Sequence, residues 1–243
     1  MCYKLRIINT RNLNQQLALP LTFKVLKNRE NFLVSKCNEL AVKLIENSES
    51  WQSRKKINAI PAVLIYGPKA CGKTHLSYIF RQYNDCIYFS SLSNNDLELI
   101  EKGKIFILDD FAPGLKYPAE LVMHFLNQVT YNEGSVLFLS RYSAFDMDWS
   151  LDDLNSRIRS LMSCQIKLPD DVLLYSFMVK YAGDKKLVLN DKQIIYILER
   201  LDRNFKSIID FIDKLDNFSL EMQKKVSYSS IKNILNNLKI SKY

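Results

Sequence analysis

The chain has 243 residues, 47% hydrophobic and 25% charged, with a formal net charge of +8, which suffices for a sizeable core in one or two domains. No apolar run reaches the roughly 18 residues of a membrane span, and the basic stretch Met1 to Ile8 lacks the long apolar region and cleavage site of a signal peptide. The five cysteines, Cys2, Cys37, Cys71, Cys86 and Cys164, are odd in number and form no C-x-x-C pair, which argues against disulfide or zinc frameworks and for small buried thiols in a reducing cytoplasm.

The charge is unevenly spread. Residues 1–56 hold 11 basic and 4 acidic side chains, residues 57–167 hold 10 and 12, and residues 168–243 hold 13 and 10. The excess therefore sits at the N-terminal end. A solvated basic surface explains it more simply than a nucleic-acid site, although direct contact through that end stays open.

In chain order, residues 1 to about 22 read as an extended arm without helical period. Residues 30–47 turn helical, with Leu40, Val42, Leu44 and Ile45 clustered, and Ser48 to Asn58 is a polar loop. Five short apolar runs follow with helical stretches between them: Ala62–Tyr66, Cys86–Ser90, Lys104–Leu108, Ser135–Ser140 and Ser163–Leu168. That alternation predicts an α/β fold with a parallel five-stranded sheet covered on both faces. After Pro169 the strands stop, and Asp170–Tyr181, Asp191–Leu201, Lys206–Leu215 and Ser229–Leu238 read as helices, with Asn190 and Ser227 or Ser229 at N-cap positions. The expected division is an arm over 1–22, an α/β core over 23–168 and an all-helical lid over 169–243. Neither internal repeat nor low-complexity tract is present.

The chemistry is carried by Gly67-Pro68-Lys69-Ala70-Cys71-Gly72-Lys73-Thr74, which matches G-x-x-x-x-G-K-[ST] between a strand and a helical stretch. Its glycines let the backbone curl so that N–H groups face phosphate oxygens, and the following helix N-terminus adds a favourable dipole. Lys73 then neutralises β/γ-phosphate charge, and Thr74 holds Mg²⁺ through its hydroxyl. The apolar run Ile105 to Leu108 ends in Asp109 and Asp110. In a parallel sheet those residues fall at the ligand-binding edge, where Asp109 serves the metal and Asp110 is a candidate base for an attacking water. Ser140, closing another apolar run, is either a γ-phosphate contact or a strand-end cap. His75 and His124 have no metal-ligand partners in spacing and read as structural.

Together these residues resemble the AAA+ module of the bacterial replication initiator DnaA. Asn31 to Ala41, with Phe32 and Val34, is similar to that family's nucleotide-base pocket, and Gly72-Lys73-Thr74-His75-Leu76 and Leu108-Asp109-Asp110 also match. The resemblance implies an AAA+ P-loop NTPase fold that binds ADP or ATP with Mg²⁺, and it adds His75 to the nucleotide contacts. It covers about residues 22–240. Two parts of the initiator are missing. Leu92 to Gly103 is too short for the helices that contact single-stranded DNA, and no room follows the lid for a helix-turn-helix domain, so sequence-specific DNA binding is not expected.

The arm segment Gln16-Leu17-Ala18-Leu19-Pro20-Leu21 resembles the sliding-clamp peptide of bacterial replication proteins. Gln16 suits a polar rim, Leu17, Leu19 and Leu21 suit apolar pockets, and Pro20 lowers the ordering cost. A DnaA-like module with such an arm resembles the Hda family, the regulatory inactivators of DnaA. The resemblance implies a cytoplasmic, clamp-bound protein that meets ATP-loaded DnaA and promotes its hydrolysis, with Arg157 as an arginine finger in trans. Its own turnover is expected to be weak, and self-association is compatible with the family. The sequence departs from the pattern at Lys206, where the lid of the family has a nucleotide-sensing Arg, and Arg203 lies three residues away. It also departs at Asp110, since some regulators have a neutral residue there. The competing readings are a helicase loader, an independent DNA-associated ATPase, or an interaction module that binds nucleotide without hydrolysis.

Overall fold

The computed structural model describes residues 5–8, 16–19, 32–52, 61–222 and 226–240. Contacts divide the chain into two compact units, one of Asn38–Lys167 and one of Leu168–Tyr243 together with Met1–Cys37. Residues 32–37, read from sequence as part of the α/β core, thus group with the helical unit.

In the arm, β1 (Leu5–Ile8) and β2 (Gln16–Leu19) pair antiparallel, with Leu5 opposite Leu19 and Ile8 opposite Gln16. The first helix, α1 (Glu39–Glu46), starts nine residues later than the expected 30–47. Ser35 intervenes: its Oγ accepts the Cys37 N–H at 3.2 Å, a local turn that competes with helix. The buried stripe of α1 is Ala41, Val42 and Ile45, whereas Leu40 is exposed because two residues' rotation points it away. Ser48–Asn58 is not wholly loop. A single turn, α2 (Glu49–Gln52), buries Trp51, whose Nε1 donates to Leu44 O at 3.0 Å and whose ring packs on Phe80. Residues 53–58 lie outside the described ones.

The sheet contains β3 (Ala62–Tyr66), β4 (Cys86–Phe89), β5 (Ile105–Leu108), β6 (Ser135–Ser140) and β7 (Met162–Gln165), all parallel, in the order β4-β5-β6-β3-β7. The last strand lies slightly earlier than the run Ser163–Leu168. The connections carry α3 (Lys73–Tyr83), a 3-10 turn at Asn94–Leu99, α4 (Ala119–Tyr131) and α5 (Asp152–Arg159). The strand period of two splits the sheet's side chains. Leu64, Phe106, Leu108, Val136 and Phe138 enter one cluster with Phe125, Val122 and Ile158. Their neighbours Val63, Ile65, Ile107, Leu137 and Leu139 are equally buried on the other face. Burial on both faces explains why these strands read as continuous apolar runs rather than alternating ones.

The helical unit comprises α6 (Asp171–Asp184), α7 (Asp191–Leu198), α8 (Phe205–Met222) and α9 (Tyr228–Ile240). Leu174, Met178, Ile197, Ile208, Phe211, Leu215 and Ile231 form its core. The N-caps are side-chain oxygens. Asp170 accepts from Leu173 N, Asn190 and Gln193 form a reciprocal capping box, and Ser227 Oγ accepts from Ser230 N. Helix α8 runs to Met222, well past the expected Leu215. No described helix is long and apolar enough to cross a membrane.

Candidate functional site

The nucleotide loop is built by close approach. Tyr66 at the end of β3 accepts the Ile166 N–H at 2.7 Å, and Gly67 N donates to Ser140 O at 3.1 Å. A Cβ on Gly67 would fall 2.2 Å from Ile166 O, so only glycine fits between the ends of β3 and β7. Ala70 and Gly72, at φ 61° and 102°, then curl the chain into α3. Pro68 and Lys69 form the outer side of the curl, and Cys71 is buried inside it. The Lys73 ammonium donates to Gly67 O at 2.7 Å and Pro68 O at 2.8 Å, with Cys71 Sγ at 3.6 Å. A buried cation among loop carbonyls, next to an eleven-residue helix N-terminus, is suited to a phosphate anion.

The end of β5 faces it. Asp109 is 8% exposed. Its Oδ2 accepts from Thr74 Oγ1 at 2.8 Å and from Tyr88 OH at 2.7 Å, and its Oδ1 accepts the Asp110 N–H at 2.8 Å. Tyr117 OH donates to Asp109 O at 2.7 Å and Phe89 O at 3.1 Å. The Thr74 hydroxyl and the Asp109 carboxylate, held side by side, are the hard oxygen donors that Mg²⁺ takes alongside phosphate and water. When bound, that metal would neutralise charge on the phosphates.

Asp110 lies in the left-handed region at φ 53°. Its carboxylate meets Lys116 Nζ at 3.1 Å and Arg141 at 3.0 Å. Partial burial pushes the carboxyl up, but the Lys116 hydrogen bond and the Arg141 and Lys116 charges outweigh it, and the net shift is downward. A carboxylate so held is a weak proton acceptor.

Ser140 is fully buried, and its Oγ accepts the Tyr142 N–H at 3.0 Å, the arrangement of a strand-end cap. Arg157 is set by its neighbour Asn155, whose buried amide bonds the backbone N and O of Trp149 and anchors α5. The guanidinium of Arg157 donates to Asn127 Oδ1 at 2.7 Å and pairs with Asp153 at 3.2 Å, one-third exposed. His75 and His124 are exposed on α3 and α4 rather than packed in the interior. No group of three candidate metal ligands among His, Cys, Asp and Glu occurs among the described residues.

In the other unit, Phe32 is buried and Val34 half-buried. Lys206, in the first turn of α8, pairs with Asp210 at 2.6 Å, and Arg203 pairs with Asp171 at 2.7 Å. Gln16, Leu17 and Leu19 lie in β2, while Pro20 and Leu21 fall outside the described residues. The structure thus brings together Gly67 to Thr74, Asp109, Asp110 and Ser140, and adds Tyr88, Lys116, Tyr117 and Arg141. Arg141 had a signal, a cation directly after a strand end. Tyr88 had none beyond its place near the end of β4.

A family model described as "Hda, lid domain" matches residues 170–235. An uncharacterized protein of Haemophilus influenzae is 26% identical over 92% of this chain and 100% of its own length. The chromosomal replication initiator protein DnaA of Wolinella succinogenes is 23% identical over 85% of this chain, which spans 51% of that protein. Among solved structures, domain III of Thermotoga maritima DnaA superposes with a TM-score of 0.67 at 19% identity, over 86% of this chain and 95% of that one. AMPPCP-bound DnaA of Aquifex aeolicus superposes with a TM-score of 0.61 at 21% identity, over 76% and 63%. The β4-β5-β6-β3-β7 sheet with its nucleotide loop has the AAA+ fold of these structures, the chain is similar to DnaA along most of its length, and residues 170–235 are similar to the lid domain of Hda.

Proposed function

We propose that this chain is a nucleotide-bound negative regulator of replication initiation, which docks on the DNA sliding clamp and stimulates ATP hydrolysis by DnaA through Arg157. The observation that carries the reading is the match of residues 170–235 to the Hda lid in a chain that also has a nucleotide core whose Asp110 is tied into two ion pairs. Such a core holds ADP or ATP with Mg²⁺ better than it turns it over. Nucleotide binding is further supported by Lys73, Thr74 and Asp109 at one sheet edge and by the AMPPCP-bound DnaA relative.

Arg157 acts on the partner's nucleotide. It leaves Asn127 and Asp153, both near the surface, and places a planar cation against the charge that develops on the transferred phosphoryl group. Gln16 to Leu21 supplies the clamp contact, and an already extended Gln16–Leu19 suits a bound peptide strand. The lone 3-10 turn at Asn94–Leu99 offers little helical surface for single-stranded DNA, which disfavours a helicase loader.

The test is ATP hydrolysis by the same organism's DnaA on clamp-loaded DNA, with and without this protein. Wild type is expected to accelerate it, and Arg157→Ala is expected to remove most of the gain, since such a finger contributes about 10³–10⁵ in rate. Acceleration unchanged in Arg157→Ala removes the finger assignment. No acceleration by a clamp-bound wild type refutes the regulator.

A further inference from the structure

Asp109 is a buried carboxylate with no ion pair among the described residues, held only by hydrogen bonds. One donor is the Asp110 backbone N–H, and a second is Thr74, which would itself share the metal. The third is Tyr88, whose phenol reaches Oδ2 at 2.7 Å, the same oxygen that Thr74 bonds at 2.8 Å. Tyr88 is one residue from the end of β4, on the strand next to β5, and its backbone registers with Ile107. The strand period puts it opposite the face that holds Phe89, Phe106 and Leu108. There the Arg81 guanidinium of α3 lies over its ring, 5.2 Å from the centroid. The phenol is thus fixed at both ends.

A carboxylate that accepts two side-chain donors on one oxygen cannot turn about its terminal torsion without losing them. When Thr74 turns its oxygen toward a cation, the Tyr88 bond still keeps Oδ2 in place. We propose that Tyr88 is a positioning residue of the metal-nucleotide site, holding Asp109 against Thr74 in the orientation that receives Mg²⁺. The inference rests on the nucleotide reading above and goes beyond it in naming the residue on which the metal-dependent part of binding depends.

The test measures the affinity of the full chain for ADP with Mg²⁺ and with EDTA, together with thermal melting. In Tyr88→Phe the Mg²⁺-dependent gain in affinity is expected to shrink about tenfold or more, as for a lost hydrogen bond to a charged group, while affinity in EDTA stays as in wild type. Tyr175→Phe is the comparison, because the Tyr175 phenol also donates to a carboxylate, Asp191 Oδ1 at 2.8 Å in the first turn of α7, a pair with no part in the metal-nucleotide site. It is expected to lower the melting temperature and leave the Mg²⁺ gain intact. Arg81→Ala, which loosens the phenol without removing it, is expected to reduce the gain about two- to fivefold, and it carries the test should Tyr88→Phe not fold. A Mg²⁺ gain unchanged in Tyr88→Phe, or a loss equal with and without metal, overturns the assignment. A wild type that binds no ADP under either condition overturns the nucleotide reading itself, and this inference with it.

Discussion

Gly67→Ala separates a steric requirement from a conformational one. The added methyl would lie 2.2 Å from Ile166 O, 3.1 Å from Ile166 C and 3.2 Å from Cys71 Sγ. An unstrained carbon–oxygen contact is about 3.3 Å or more, so about 1 Å must be found. Ile166 has little freedom to give it, because it is buried and its N–H is bonded to Tyr66 O at 2.7 Å. Overpacking of this kind costs about 1–3 kcal/mol, and a weakened hydrogen bond adds about 1. At about 2–4 °C per kcal/mol for a chain of this size, the melting temperature should fall by about 5–15 °C. Gly103→Ala is the matched control. Gly103 also has positive φ, at 72°, but a Cβ there meets nothing within 4 Å. Its cost is the left-handed strain alone, about 1–2 kcal/mol. The assay is thermal unfolding of both variants by circular dichroism, followed by ADP titration of any that stay folded at 25 °C. Gly67→Ala should lose both stability and nucleotide affinity, and Gly103→Ala should keep its affinity. Equal melting of the two variants with nucleotide affinity intact would refute the close-approach argument.

Two further substitutions test other parts of the α/β unit. The Asp110 carboxyl has a folded pKa below its ordinary value. Its ion pairs therefore stabilise the fold fully above the unfolded value of about 3.9 and lose that effect as pH falls through the folded value. The stability gap between wild type and Asp110→Asn, read from urea midpoints at pH 7, 5 and 3, should close only at the lowest pH. A gap that is already gone at pH 5 contradicts the ion-pair geometry. Trp51→Ala removes a fully buried ring and its Nε1 bond to Leu44 O. It should destabilise the unit by about 3–5 kcal/mol in denaturant unfolding, and a loss under about 1 kcal/mol would show that α2 does not hold the core together.

Much of the candidate site is local in sequence, which is why it was legible. Gly67 to Thr74 is one contiguous turn between a strand and a helix, and its glycines mark two of the three positions of positive φ, the third being Ala70. Asp109 and Ser140 follow apolar runs that are buried on both faces, and in a parallel sheet every such run ends at the same edge. The helical caps at Asn190 and, of the two serines expected, Ser227 were legible for the same reason, since a cap bonds a backbone group three residues away.

The start of α1 was less clear, because apolar spacing alone extended the helix back through Ser35. There the Ser35 hydroxyl holds a competing turn with Cys37, and the helix begins only beyond it. The partners of Asp110 and Asp109 depend on which strands lie side by side. Placing β5 between β4 and β6 brings Tyr88 to Asp109 and Arg141 to Asp110, contacts that span 21 and 31 residues. The sequence by itself determined a nucleotide loop, a sheet edge and a helical lid, because each rests on periodicity or turn chemistry within a few residues. Only the tertiary structure decided which phenol and which cations hold the two carboxylates, because hydrogen bonds and ion pairs act over about 3 Å of space whatever the distance along the chain.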